Sequence, residues 1–296
     1  MPSTPARKLR DSNEVELKRE QGRQANEEKY GEFKRGCDEH QPAACTSLGE
    51  WWALMRHDFS KAVQYYTPAC IDDKYSQACL NLGLILTNGS GGIPINIPKA
   101  ITVFGIGCEQ GNADACAEGS RLLLREALQL SSSSTTTTSS SPSTTASSTT
   151  STSIDDNSIS STPPQLSSTS IAQIQLAQHY LYRGCHDGEG VAHARCCSML
   201  GSLYTSKRFR PYITLPDNKQ NIITCLERGC RGEQSSACMR LASIYRHGSN
   251  ELNIIPNLPL ANNLEKQSLI WMGMTEKQAE QTIQKRRGNN TSTIEK

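Results

Sequence analysis

The chain has 296 residues, a formal net charge of +2, 36% hydrophobic and 5% aromatic residues. That length suits one large domain or two small ones, and the near-neutral charge argues against nucleic acid or an anionic membrane surface as partner. No stretch approaches the roughly 20 apolar residues that span a bilayer, and the opening MPSTPARKLRDSNEVELKREQG has no apolar signal core and, with Asp11, Glu14 and Glu16, is too acidic for a transit presequence.

In chain order, residues 1–12 read as disordered and 13–36 as a charged helix leading to Cys37. SKAVQYYTPAC and CLNLGLILTNG form a helix pair, with Pro68 expected to bend or weaken the last turn of its first helix. Gly89, Gly91 and Gly92 mark a turn, and Pro98 is placed to open the next helix, so that KAITVFGIGC and CAEGSRLLLREALQL make the third pair. Residues 131–170 are mostly Ser and Thr and cannot bury a core, which predicts a disordered insertion between two helices. IAQIQLAQHYLYRGC with CSMLGSLYTS, and NIITCLERGC with CMRLASIYRHG, are the fourth and fifth pairs. Two further helices are expected over about 258–272 and 275–287, the second opening on a Thr275 to Gln278 capping box and serving as a polar cap. The tail 288–296 reads as disordered. The folded parts are thus 13–130, with three repeats, and 171–287, with two repeats and the capping helices.

The twelve cysteines set the register. Ten fall into the pairs Cys37/Cys45, Cys70/Cys79, Cys108/Cys116, Cys185/Cys197 and Cys230/Cys238. First cysteines are 33, 38, 77 and 45 residues apart, the 77 containing the Ser/Thr tract, and periods of this size mark helical-repeat arrays. A small residue precedes each first Cys (Gly36, Ala69, Gly107, Gly184, Gly229) and an apolar one stands four before it (Phe33, Tyr66, Phe104, Leu181, Leu226). Four after each second Cys is a small residue (Gly49, Gly83, Ser120, Gly201, Ala242), and seven after is a large one (Trp52, Leu86, Leu123, Tyr204, Tyr245). Spacings of four and seven share a helix face, so each unit is one helix ending at a Cys and a second starting at a Cys. Such ends can meet at the Cα separation of about 5.5 Å that a disulfide needs. The expected fold is an all-α, α/α helical-repeat solenoid related to tetratricopeptide arrays, with five helix-pair disulfides in an oxidising compartment; a reducing one would keep the thiols and favour a metal or redox role.

KAVQYYTPAC and ACLNLGLILTNGSGGIP resemble the SEL-1-like repeat through their Lys-Ala, Tyr and Ala-Cys-x-x-Leu-Gly landmarks. The Cys-paired form is similar to the Helicobacter cysteine-rich, or Hcp β-lactamase-like, family and to its mitochondrial members. The chain departs from the pattern in the Ser/Thr tract, the long Cys185–Cys197 loop and Gly119, which replaces a leucine. The resemblance implies a scaffold of the mitochondrial intermembrane space, imported and oxidised by the disulfide relay, that binds other respiratory-chain assembly factors in maturing complex IV; a cytoplasmic location is the alternative. It implies no catalytic centre.

Cys196 and Cys225 are left over as candidate thiols outside the pairs. The simpler reading is two small buried side chains; the sharper is thiol–disulfide exchange, with Cys196 beside Cys197 the better placed. The loop Cys185-His186…His193…Cys196-Cys197 has a composition that could hold zinc, copper or a haem iron, with His186, His193 and Cys196 as the candidate ligands. That makes a thiol–disulfide enzyme or a metal or haem carrier the alternative function. A β-lactam hydrolase is suggested by a family name alone, since the chain contains no Ser-x-x-Lys. Arg121, Arg125, Arg240 and Arg246 could line a partner-binding surface, although a charge on a helix face is more often solvated.

Overall fold

The computed structural model describes residues 5–133, 166–188 and 190–291. The described residues form twelve α-helices, two short 3-10 turns and no strand. Most of the expected Ser/Thr insertion, and residues 1–4 and 292–296 of the two expected disordered ends, lie outside them. The chain divides into two compact units, 1–116 and 117–296.

The first unit contains α1 (Pro5–Asp38), α2 (Pro42–Met55), α3 (Phe59–Ile71), α4 (Ser76–Asn88), α5 (Ile97–Glu109) and the opening turn of α6 (Ala113–Ser133). The start of α1 differs from the expectation of disorder up to residue 12. Proline is tolerated in a first helical turn, where its missing N–H has no partner to lose, and ARKLR after Pro5 is rich in helix formers. The far end of α1 is fixed to α2 by aromatic packing: Tyr30 lies 4.7 Å from the Trp51 ring, and Trp51 meets Trp52 edge-on at 5.2 Å. Arg56 sits over Trp51 and Lys61 over Trp52, the latter at 3.8 Å from the ring centre, so two cations cap the cluster. Asp58 and Asn96 accept hydrogen bonds from the N–H groups of Lys61 and Lys99 and so start α3 and α5. Helix α3 continues past Pro68 to Ile71, with Ala69 and Cys70 buried beyond it.

The small and large residues picked out by spacing meet between neighbouring repeats. A Cβ built at Gly49 would stand 2.6 Å from the Tyr66 ring, and one at Gly83 would stand 2.5 Å from Phe104. The second helix of one repeat therefore offers a glycine notch to the large residue four before the first Cys of the next. Within a repeat, the glycine before the first Cys faces the alanine before the second: Gly36 faces Ala44 and Gly107 faces Ala115. These contacts bring helix ends close enough for Cys37–Cys45, Cys70–Cys79 and Cys108–Cys116 to stand at disulfide distance, with Cα separations of 4.5–4.7 Å.

The second unit holds the rest of α6, then α7 (Ser168–His186), α8 (Val191–Thr205), α9 (Gln220–Arg231), α10 (Ser235–His247), α11 (Leu258–Trp271) and α12 (Glu276–Thr291). Ser167 caps α7, so that helix takes in residues 168–170 of the expected insertion, and α12 runs into the expected tail. The notch recurs at Gly201, which receives Leu226 at 2.5 Å. In the third repeat Ser120 stands at the notch and donates a hydrogen bond to the Ala177 carbonyl of α7. Gly229 faces Ala237 as its counterparts do, and Cys185–Cys197 and Cys230–Cys238 have Cα separations of 4.6 and 4.8 Å. Ile223, Leu226, Cys230, Ala237, Cys238 and Leu241 make a buried cluster on which Leu264 and Trp271 of α11 pack. Leu269 with Ala279 and Ile283 then holds α12. The expected capping box is formed: Thr275 N–H donates to Gln278 Oε1 at 2.9 Å, and Gln278 N–H donates to Thr275 Oγ1.

Candidate cysteine and histidine site

The long Cys185–Cys197 loop expected from the spacing is a connection of four residues, 187–190, because α8 begins six residues before Cys197; the two helix ends border a cleft of about 890 Å³. Cys185 and His186 line it from the end of α7, Asp187 from the turn that follows, His193, Ala194 and Cys197 from α8, and Arg228 and Arg231 from α9. Both histidines are oriented by main-chain carbonyls. His186 Nδ1–H donates to Tyr182 O at 2.9 Å, and its ring stacks on Tyr182 at 4.1 Å. His193 Nδ1–H donates to Gly184 O at 2.8 Å. In each neutral ring this leaves the lone pair on Nε2, the tautomer in which a histidine can accept a proton or bind a cation through that atom.

Cys225, in the middle of α9, joins this site from the next repeat. Its sulfur, the Cys185 sulfur and a His186 ring nitrogen all lie within 4.8 Å of one another. Cys225 is 3% exposed, and burial pushes its thiol up to about 11 while the Arg228 guanidinium pulls the other way. The thiol is therefore protonated at neutral pH. Cys185 is joined to Cys197, so in this oxidation state only Cys225 and His186 of the three have a ligand atom not already bound.

The expected candidates divide. His186 and His193 both line the cleft beside Cys185 and Cys197. Cys196 does not line it; it is fully buried on α8, at the position where other repeats carry Ala44, Ala78, Ala115 and Ala237. Cys225, which the sequence reading did not place at this site, brings its thiol close to the Cys185 sulfur. Cys196 and Cys197 project from α8 about 100° apart. The available signal was the residue type at 225: other repeats place Tyr65, Val103 and Tyr180 there.

The basic residues considered for a partner surface have local companions. Arg121 pairs with Glu118 at 2.8 Å, Arg240 donates to Thr205 and Arg246 pairs with Glu265 at 2.6 Å. Glu265 is 2% exposed, so the last is a structural pair inside the fold. Among the described residues no helix is long and apolar enough to cross a membrane.

Helix pairs, glycine notches and paired cysteines define the class: the fold is that of Sel1-like repeat proteins. A Sel1 repeat protein from Oxalobacter formigenes aligns with a TM-score of 0.51 over 77% of this chain and 73% of its own, at 17% identity. A protective antigen of uropathogenic Escherichia coli with an SLR fold aligns at 0.55 over 86% of this chain and 44% of its own, at 16% identity. No family model matches. The particular proteins that this chain resembles in sequence are cytochrome c oxidase assembly factors. The Drosophila melanogaster protein named cytochrome c oxidase assembly factor 7 homolog is 32% identical over 117 residues, 38% of this chain and 44% of that one. Cytochrome c oxidase assembly factor 7 of Xenopus tropicalis is 30% identical over 81 residues, 26% and 35% of the two chains. The alignments thus span less than half the length of these curated relatives.

Proposed function

We propose that this chain is a helical-repeat scaffold of the mitochondrial intermembrane space that assists assembly of cytochrome c oxidase by binding other assembly factors. The observation that carries the reading is the similarity to relatives named cytochrome c oxidase assembly factors, 32% over 117 residues in the first of them. The cysteine pairs agree with it, because five pairs at disulfide distance suit an oxidising compartment reached through the disulfide relay. The chain acts by presenting its repeat surfaces to protein partners, as repeat arrays do, with no catalytic centre of its own. Cells of the source organism lacking the chain should show lowered complex IV activity and accumulate its assembly intermediates, restored by re-expression. Normal complex IV content in such cells would overturn the proposal.

A further inference from the structure

We infer that Cys185, Cys197, Cys225 and His186 form a thiol-gated site for a thiophilic d10 cation, Zn2+ or Cu+, closed while Cys185–Cys197 is bridged and assembled when a dithiol opens it. The donor atoms of Cys185, Cys225 and His186 already lie within 4.8 Å of one another. Two sulfurs on a tetrahedral zinc with bonds of about 2.3 Å stand roughly 3.8 Å apart, so the Cys185 and Cys225 sulfurs need to close by no more than about 1 Å. Cys197 is bonded to Cys185 across a Cα separation of 4.6 Å, so opening the bridge adds a third sulfur beside the others. The result is a three-thiolate, one-imidazole set, the composition of closed structural zinc sites and one that also suits Cu+.

The surroundings point the same way. A disulfide sulfur is uncharged and a poor ligand, so the bridge is the gate. His186 is held by the Tyr182 carbonyl and the Tyr182 ring, the kind of outer contact that fixes a ligating imidazole. The cleft gives an entry path, and Arg228 and Arg231 on its wall offset the net negative charge of three thiolates around a divalent ion. Cys225 is not demanded by the repeat, which accepts Tyr65, Val103 or Tyr180 in its place.

The chemistry balances in two steps. A dithiol gives two electrons and two protons to the Cys185–Cys197 bond and leaves as its own disulfide, producing two thiols. The cation then displaces the thiol protons of Cys185, Cys197 and Cys225 to solvent and takes the neutral imidazole as fourth ligand. The oxidised chain has only the Cys225 thiol and the His186 imidazole of this set to offer, so it binds the cation weakly.

The test uses the full chain, opened with limiting dithiol under argon, its opened pair identified by alkylation and mass mapping. Titration with Co2+ as a Zn2+ probe should give sulfur-to-metal charge-transfer and tetrahedral d–d bands at one ion per chain. Separate Zn2+ and Cu+ competitions against chelators identify the preferred ion, and tighter binding of either supports the site. Cys225→Ser and His186→Ala should weaken binding by at least the roughly 100-fold that an outer-shell change alone can cause, whereas Cys196→Ser should leave it unchanged. Helical circular dichroism checks the fold of each variant, and in the unsubstituted chain the bound ion should shield Cys225 from alkylation. No binding by the opened chain, equal binding by Cys225→Ser, or Cys225 left open to alkylation with the ion bound would each overturn the assignment.

Discussion

At the residue scale, stability turns on a few positions where two side chains compete for one space. Gly83 is the sharpest: an added Cβ would stand 2.5 Å from the buried Phe104 ring. Gly83→Ala should cost about 1–3 kcal/mol, the usual penalty for overpacking, measured by urea unfolding. A Cβ added at Gly22 on α1 would meet nothing within 4 Å, so Gly22→Ala should stabilise by up to about 1 kcal/mol through helix propensity. An equal effect at both sites would contradict the notch. Cys225 and Tyr66 give the alkaline behaviour. Burial raises both above their ordinary values, Cys225 from 9.0 to about 11 and Tyr66 further, with Glu50 adding to the latter. Each holds its proton more tightly folded than unfolded, so its contribution is whole below about pH 9 and is lost as pH rises. Stability should fall through pH 9–11 in the oxidised chain, and Cys225→Ser should flatten part of that fall. A variant as pH-sensitive as the parent would show that the thiol is not buried.

At the element scale, what holds helices in place is partly local and partly not. Asp58 caps α3 through the Lys61 N–H at 3.0 Å, and Asp58→Ala should cost about 1 kcal/mol. Arg246 on α10 reaches the buried Glu265 of α11 at 2.6 Å; Arg246→Ala removes this charge-assisted bond and should cost about 1.5–3 kcal/mol, read from the same unfolding curves. The helix pairs, the glycine register and the Thr275 capping box were legible because each depends on residues within one repeat or at a fixed offset from a cysteine. The junction of Cys225 with Cys185 and His186 was not, because it joins positions about 40 residues apart across two repeats, and spacing within a repeat carries no signal of it. The N-terminal turns of α1 were missed for another reason: Pro5 reads as a disruption in a charged segment, yet in a first helical turn it costs no hydrogen bond.

At the scale of the whole molecule, five short cysteine-closed loops supplement the core that the stacked repeats bury. Each repeat buries only a helix pair, so the pairs and the stacking of neighbours share the stabilisation. Replacing both Cys108 and Cys116 by Ser should cost about 2–3 kcal/mol by the loop-entropy model, seen as a lower midpoint in urea. The likeness to cytochrome c oxidase assembly factors covers less than half of the relatives' length, and the Ser/Thr-rich segment interrupts the repeats between α6 and α7. The repeat fold itself rests on the helix pairs, the glycine notches and the cysteine pairs, and the compartment proposed for the chain depends on the oxidation of those cysteines.

That state is the measurement to make first: intact mass of the native protein after alkylation in denaturant, with and without prior reduction. Two alkyl groups are expected without reduction, on Cys196 and Cys225, and twelve with it. Twelve groups without reduction would mean that the chain lives with its thiols intact, and would contradict both the stapled repeats and the oxidising compartment.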